Sequence, residues 1–457
     1  MAELKKPNCG ARLDRLPNTA WHWKVFAMTG LGILFAWSNG ISGLVQAQLI
    51  EIGWADNNIA AVFSSLYSVG MLFGALVGGI IGDRIGRRKS YLLYVGIHLA
   101  AMYVAAASPN MTFLIVVRTI MGFGIGALLM TLFASFTEYV PSHTRGTWLG
   151  RNSFVANWGG PICSLLATLI TPYVTADANW RIMFIIPAIL STIIWLVACR
   201  NFPESPRWLE TQGRYDEANE LMTQIEQTVE RQSGQKLEPV PVQEVEQVQE
   251  KVIPYSHLFK GELLRRVILG SFVLIAMNVI QYTLMTWLPT IFTAKGIDIQ
   301  SSFVMYTLTI LGAPAGVFVA MMLMDRIPRK TMGIGILVLN TIVGLFYSVQ
   351  TDPTVISIVG FFLQMTVQMY VCFASAVYVP EIWPTEAKLR GSGLANSVGR
   401  VSSIIAPYLV AFLLNNYGVT SVFVMMAVVA VITIVVIAIF GINTRKVSVE
   451  SIGEKAE

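Results

Sequence analysis

Apolar runs of about 18 to 25 residues recur along the whole chain, parted by short polar breaks. They fall at about 25–49, 59–82, 91–107, 112–137, 148–172, 182–200, 265–293, 301–324, 331–349, 353–379, 392–415 and 419–442. A helix of this length crosses a hydrocarbon core of roughly 30 Å. The pattern predicts an all-α membrane protein of twelve transmembrane helices. The first run follows a polar start, Met1 to His22, and is too long for the apolar region of a cleavable signal.

The polar positions divide the chain further. The longest polar stretch, 201–264, separates six runs from six. Within it, Tyr215 to Arg231 alternates charge while Leu221, Met222 and Ile225 recur at helical spacing, which predicts short helices. The expected divisions are a polar N-terminal segment (1–24), a six-helix bundle (25–200), a linker with short helices (201–264), a second six-helix bundle (265–442) and a tail (443–457). The two halves repeat each other. Asp83-Arg84 with Arg87 and Arg88 follows run two, and Asp325-Arg326 with Arg329 and Lys330 follows run eight, 242 residues on. Glu138-x-x-Pro141 then Arg145-Gly146 follows run four, and Glu381-x-x-Pro384 then Arg390-Gly391 follows run ten, Glu381 lying 243 residues after Glu138. Two different charge motifs recurring at nearly one offset imply a duplicated six-helix unit, with a solute site where the halves face each other.

Composition strengthens this picture, and charge orients it. Of 457 residues, 54% are hydrophobic and 13% charged, against about a quarter charged in a soluble domain. The net charge of +5 could imply an anionic macromolecule as partner. Its distribution excludes nucleic-acid binding instead. Lysine and arginine gather before run one and after runs two, four, eight, ten and twelve; Arg181 and Lys295 are the clear exceptions in the alternate loops. That is the positive-inside pattern, and it predicts that both termini are cytoplasmic. The four cysteines, Cys9, Cys163, Cys199 and Cys372, have no metal-ligand spacing and imply no disulfide framework. No metal site or cofactor is expected.

The run Gly79-Ile-Ile-Gly-Asp83-Arg84-Ile-Gly86-Arg87-Arg88-Lys89 carries the strongest chemistry. Glycines let helices approach closely, and a carboxylate at a helix end can pair with arginines of a neighbour, forming a latch that breaks on opening. A plain topology anchor is the simpler reading, and it suffices for Lys89 alone. This run resembles the signature loop of the major facilitator superfamily. Arg118-x-x-x-Gly122-x-Gly124-x-Gly126, Pro203-Glu-Ser-Pro-Arg-Trp-Leu209 and Pro380-Glu381-Ile-Trp-Pro384-Thr are similar to segments of its sugar porter group and of relatives that carry organic ions and aromatic acids. Gly10-Ala-Arg-Leu-Asp-Arg-Leu-Pro17 and Tyr378-Val-Pro-Glu-Ile-Trp-Pro-Thr385 resemble the enterobacterial inner-membrane metabolite transporters of the YdjK and YdjE type. The resemblance spans nearly the whole chain. It implies the major facilitator fold, two pseudo-symmetric six-helix bundles in a bacterial inner membrane. It also implies a cytoplasmic gate of Asp83, Arg84, Arg87, Arg88, Glu138, Arg145, Glu204, Arg207, Asp325, Arg326, Arg329, Glu381 and Arg390. Glu204-Ser205-Pro206 also fits the start of a short helix.

The chain departs from that family at two points. Proton-coupled sugar porters carry an aspartate in span one, where this chain reads Leu34-Phe35-Ala36-Trp37-Ser38-Asn39-Gly40, so Ser38 or Asn39 replaces the acid. No Asp or Glu lies inside any span, although membrane proton relays usually need one. The family's paired glutamines in span seven are also absent.

Arg118 and Arg400 are embedded in spans four and eleven, at an insertion cost of at least about 2.5 kcal/mol each, and are therefore candidate substrate contacts. Arg118 could instead pack against Asn39 or a backbone carbonyl, and Arg400 could brace helices. Asn278, Gln281 and Tyr282 share one face of span seven; Gln364 and Gln368, Asn396 and Arg400, and Ser153 and Asn157 share faces of spans ten, eleven and five. Lipid cannot satisfy such faces, so they turn toward a cavity or pair between helices for about 0.6 kcal/mol per contact. Trp37, Trp158, Tyr282 and Trp287 can stack on a ring or close a gate, or simply pack or anchor at the interface. Gly159-Gly160-Pro161, Pro289, Pro314 and Pro407 are expected to interrupt spans five, seven, eight and eleven.

The sequence therefore predicts a monomeric, multi-pass secondary transporter and no enzyme. Its substrate is expected to be a small polar metabolite, a sugar acid, sugar or polyol, carried by alternating access with uniport or exchange. A proton-coupled symporter of an organic or aromatic acid is the alternative. A nutrient sensor on a carrier fold is a remoter one, because the tail is short.

Overall fold

Backbone inside a bilayer finds no water, so its polar groups must be satisfied within the segment, and an apolar run becomes a helix. The computed structural model describes residues 7–30, 32–240, 255–324, 326–384 and 387–442, with backbone alone for 32–39, 132–137, 146, 388 and 389. These residues form helices and no strand. In order the helices are α1 (Cys9–Asp14), α2 (Ala20–Thr29), α3 (Gly32–Glu51), α4 (Asn57–Ile85), α5 (Arg87–Ala106), α6 (Met111–Tyr139), α7 (Arg145–Ile170), α8 (Ala176–Asn201), α9 (Pro206–Thr211) and α10 (Tyr215–Ser233). They continue as α11 (Gly261–Ala294), α12 (Ile299–Ile310), α13 (Gly312–Leu323), α14 (Arg329–Ser348), α15 (Pro353–Val371), α16 (Val379–Glu381), α17 (Lys388–Tyr417) and α18 (Val419–Phe440).

Among the described residues, ten segments are long and apolar enough to cross a membrane. The helix expected at 91–107 begins at Arg87, and the three basic residues Arg87, Arg88 and Lys89 lower its apolar character. The run at 25–49 is divided between α2 and α3 around residue 31, which lies outside the described residues.

The expected proline interruptions are corrected by the structure. α7, α11 and α17 run unbroken through Pro161, Pro289 and Pro407, as does α8 through Pro187. A proline loses one N–H bond, and packing against neighbouring helices can hold the axis in spite of it. The run at 301–324 does break, between α12 and α13 at Leu311, three residues before Pro314. A second irregularity also lies just ahead of a proline, Pro380. Cys372 to Tyr378 forms a π-helical turn between α15 and α16, and no proline or glycine lies within it.

The chain packs as two compact units. The first comprises Met1–Ala36, Val69–Gly159 and Phe184–Gln247. Here α4 crosses α6 on glycine. A Cβ on Gly70 would run into the Thr119 carbonyl oxygen and the Phe123 nitrogen, and one on Gly74 into the Phe123 carbonyl oxygen. The second unit comprises Trp37–Ser68, Gly160–Met183 and Val248–Glu457. In it α13 crosses α15 the same way: Gly312 meets the Phe361 carbonyl oxygen and the Met365 nitrogen, and Gly316 meets the Met365 carbonyl oxygen. Gly312, Gly316, Phe361 and Met365 each lie 242 residues after Gly70, Gly74, Thr119 and Phe123. The duplication is thus repeated in helix packing as well as in charge motifs.

Candidate transport site

The acidic–arginine cluster of the first unit is built at the end of α4. Gly86, at a φ of +97°, turns the chain between α4 and α5. The turn brings Arg87 back to Asp83 at 2.6 Å and across to Glu138 of α6 at 3.0 Å. Burial opposes the Arg87 charge, and its bonds to Glu138 and Asp83 outweigh that, so its pKa is raised. Glu204 has a different role from the ion pairing expected of it. Its Oε1 accepts the backbone N–H groups of Arg87 (2.6 Å) and Arg88 (3.0 Å), capping the start of α5. Arg88 donates to the Cys199 carbonyl, and the Trp208 indole N–H donates to the Asp83 carbonyl. Arg84 is exposed, and the Arg145 Nε is enclosed without a hydrogen-bond partner among the described residues.

In the second unit Arg329 holds Glu381 in a two-pronged pair at 3.0 and 3.1 Å and also donates to the Met324 carbonyl. Arg329 and Glu381 are the repeats of Arg87 and Glu138. Arg390 stacks over the Tyr255 ring at 5.0 Å, and Arg326 is exposed. Asp325 lies outside the described residues.

A partner absent from the expected gate is the N-terminal helix. Cys9, Leu13 and Leu16 pack with Trp208, Leu209, Met222, Ile225 and Val229 into an apolar core beneath α9 and α10. Arg207 pairs with Asp14 at 3.1 Å, and Asp14 also accepts the Ser142 N–H. Arg12 and Arg15 converge on Glu226 at 2.7 and 2.6 Å. Burial pushes the Cys9 thiol up to about 12, aided by the charge of Glu210, so the thiol stays protonated. Burial also works against the Glu226 charge, but the two guanidiniums hold its carboxyl below the ordinary 4.5. The stability from this cluster is therefore present above pH 4.5 and lost as pH falls through the lowered value. Arg12→Ala should cost about 2 kcal/mol at neutral pH, roughly a 30-fold rise in the undocked population. Hydrogen exchange of residues 9–16 measures this, and the difference from wild type should shrink as pH falls through the lowered Glu226 pKa.

The expected substrate residues separate into those the structure joins and those it does not. In the second unit, Tyr282 of α11 accepts a hydrogen bond at 3.0 Å from Arg400 of α17. Among the described residues, no carboxylate pairs with Arg400. Asn396, one turn earlier on α17, is exposed. Asn278 donates to the Leu274 carbonyl and lies against Gly399, bracing α11 on α17. Gln281 donates to the Met285 sulfur and leaves a buried carbonyl oxygen without a partner. Gln364 and Gln368 of α15 are buried, and the Gln364 side-chain nitrogen makes no hydrogen bond. In the first unit Arg118 is 1% exposed within α6. The side chains of Trp37 and Asn39 lie outside the described residues.

α7 presents two different exposed faces. Ser153 and Asn157 lie on one. Phe154, Trp158, Ile162, Leu165 and Leu169 form an exposed apolar stripe beside it. Trp158, expected among the substrate residues, falls on this stripe. α17 repeats the arrangement: Asn396 and Arg400 lie 243 residues after Ser153 and Asn157, and the exposed Val401, Ile405, Tyr408 and Phe412 lie 243 after Trp158, Ile162, Leu165 and Leu169.

Within the second unit, α3 closes on α11 backbone to backbone. A Cβ on Gly43 of α3 would stand 2.6 Å from the Met285 carbonyl oxygen and 2.9 Å from that of Thr286 on α11. Gly43 and Met285 are themselves 242 residues apart, so the two helices cross at equivalent positions. Ser64 donates to Gln46 at 2.7 Å, and Gln46 donates to Thr290 at 3.4 Å. Thr307 meets both Ser164 (2.6 Å) and Thr168 (3.0 Å), and Ser65 donates to the Ile404 carbonyl. Sequence periodicity gave no warning of this closure; the only signal was Gly43 at the repeat offset from Met285.

The profile of the sugar (and other) transporter family matches residues 24–456. The chain belongs to that family. This sugar transporter family member is 57% identical to YdjK of Escherichia coli strain K12, over 99% of this chain and 98% of that one. It is 42% identical to the inner membrane metabolite transport protein YdjE of the same strain, over 97% and 98%. It is also 29% identical to the niacin transporter NiaP of Acinetobacter baylyi, over 97% and 99%. An inward-open structure of the Escherichia coli xylose transporter XylE superimposes with a TM-score of 0.75 at 16% identity, covering 95% of this chain and 99% of that one. The family member therefore has the fold of a major facilitator transporter.

Proposed function

We propose that the chain is a secondary transporter that moves a small polar metabolite across the bacterial inner membrane by alternating access. Its twelve spans comprise the ten described above, α5, and α2 with α3, with both termini in the cytoplasm and two bundles at 25–200 and 265–442. Asp83, Arg87, Glu138, Arg329 and Glu381 form the cytoplasmic gate, and the Gly43–Met285 crossing closes the periplasmic side. The polar faces of α7 and α17 turn to the cavity, and the adjoining apolar stripes turn to lipid, which removes Trp158 from the substrate set.

One observation carries the substrate class. Arg400 is held by the Tyr282 hydroxyl and, among the described residues, by no carboxylate, on a face shared with Asn396. An embedded guanidinium favours an anion, and its planar fork suits a carboxylate. A sugar acid is the first substrate class to test, with neutral sugars and polyols after it. The missing acid in span one favours uniport or exchange. The niacin transporter among the relatives supports the second reading, a carrier of an aromatic acid.

A thermal-shift screen of the purified protein against sugar acids, sugars, polyols and aromatic acids tests this, since a specific ligand stabilises the folded state by mass action. Stabilisation by carboxylates above their neutral analogues is expected. Preferential stabilisation by lipophilic cations would overturn the reading.

A further inference from the structure

Arg151 is a cation that neither the gate nor the substrate face uses. It lies at the start of the apolar stripe of α7, three residues before Phe154 and seven before Trp158. Its counterpart 243 residues on is Leu394, so the duplicated fold does not require a charge there. Arg151 is exposed, and its guanidinium carbon sits 4.7 Å from the ring centre of Trp148 and 4.9 Å from that of Trp23. The two indoles pack edge-on at 4.8 Å. Trp148 is buried and fixed by a 3.2 Å hydrogen bond from its N–H to Asn18, whereas Trp23 is half exposed. Among the described residues, no carboxylate pairs with Arg151.

The neighbouring groups leave the positive charge uncompensated. His22 also stacks against Trp148, ring centre to ring centre at 6.5 Å. Its Nδ1 accepts the Thr19 N–H at 3.2 Å, and burial lowers its pKa to about 4, so it is neutral. Lys24 beside Trp23 is exposed and donates to the neutral side chain of Asn201. A cation pinned by aromatic faces at the edge of a lipid-facing stripe stands at headgroup depth, where tryptophan and arginine both favour the boundary.

We infer that Arg151, Trp23 and Trp148 form a binding site for the phosphate of an anionic phospholipid whose acyl chains lie along Phe154 and Trp158. The inference rests on the transmembrane reading of α7 and on no assumption about the substrate. The guanidinium forks onto the phosphate oxygens, and the exposed Trp23 indole covers the glycerol backbone. Lys24 adds charge at the rim and favours a headgroup of net negative charge over a zwitterionic one.

The test titrates the full-length protein in detergent with phosphatidylglycerol or phosphatidylcholine and reads the thermal unfolding midpoint. Phosphatidylglycerol should raise the midpoint of wild type more than phosphatidylcholine does. Arg151→Gln should weaken the apparent affinity for phosphatidylglycerol roughly fivefold and leave phosphatidylcholine unchanged. Arg151→Lys should keep part of the effect, and Trp23→Ala should lose part of it. Inorganic phosphate at matched concentration should produce no shift. Equal phosphatidylglycerol affinity in wild type and Arg151→Gln would overturn the site, as would the full shift with inorganic phosphate. If Arg151→Gln does not fold, Arg151→Lys and Trp23→Ala decide, and wild-type phosphatidylglycerol affinity in both would refute the site.

Discussion

A Gly43→Leu protein is expected to fold, insert and lose transport. The atoms a side chain at residue 43 would meet are backbone carbonyl oxygens of Met285 and Thr286, at 2.6 and 2.9 Å from the first added carbon. Backbone inside a helix cannot swing aside as a side-chain tip can, so α3 and α11 must part. The hydrogen bonds between Ser64, Gln46 and Thr290 would part with them. Overpacking of this kind costs about 1–3 kcal/mol, which shifts a two-state equilibrium roughly 5- to 150-fold away from the closed periplasmic side. A carrier that cannot close one side cannot complete its cycle. Cys163 supplies a readout independent of the substrate. It is 3% exposed and packs beside Gly40, near the same closure. A membrane-impermeant maleimide applied from the periplasm should label Cys163 faster in Gly43→Leu than in wild type, with Gly43→Ala between the two. Unchanged labelling with intact transport would remove the crossing from the mechanism.

The second large effect is expected at Arg400. Arg400→Gln keeps most of the side-chain volume and removes the guanidinium charge from the Tyr282–Asn396 face. Charge-assisted hydrogen bonds to a carboxylate are worth about 2–3 kcal/mol, so binding of an anionic ligand should weaken roughly 30- to 150-fold. A neutral sugar or polyol bound in the same cavity should be affected much less. Tyr282→Phe removes the hydroxyl that orients the guanidinium and should cost less than the loss of Arg400 itself. The measurement is ligand-induced stabilisation across an anionic and neutral ligand pair. Equal losses for both ligands would show that Arg400 braces α11 against α17 and does not read charge.

Much of this architecture was legible because a bilayer leaves a chain few choices. Apolar length gave the helices, and the repeat of Asp83 and Arg87 at Asp325 and Arg329 gave the duplication. What sequence hid depends on contacts that periodicity does not encode. The π-helical turn after Val371 carries no proline or glycine of its own, and the Pro380 that follows it does not by itself distinguish a π turn from a continuous helix. Prolines misled for the complementary reason: a missing N–H is a local fact, and whether a helix breaks depends on its neighbours. Pro161, Pro289 and Pro407 sit in continuous helices.

The candidate site divides in the same way. Sequence could place Ser153 with Asn157 and Asn396 with Arg400 on helix faces, because i and i+4 is a rule of the single helix. It could not separate Asn157 from Trp158, whose exposed surfaces lie on adjacent faces of α7, nor join Tyr282 to Arg400 across two helices. Glu204 was recognisable as part of a charged motif. Its bonds to the amides of Arg87 and Arg88 follow from the turn at Gly86. The docking of the N-terminal helix on α9 and α10 was hidden because its partners, Arg12 and Glu226, lie 214 residues apart.

The central claim is that this family member carries its solute by alternating access without needing an ion gradient. Counterflow tests it most directly. Proteoliposomes are loaded with the unlabelled ligand identified by thermal shift, and diluted into trace labelled ligand at equal pH and ionic composition on both sides. The account predicts transient accumulation of label above its external concentration, abolished in Gly43→Leu. Uptake that never exceeds equilibrium, or that appears only when an inward proton gradient is imposed, would contradict it.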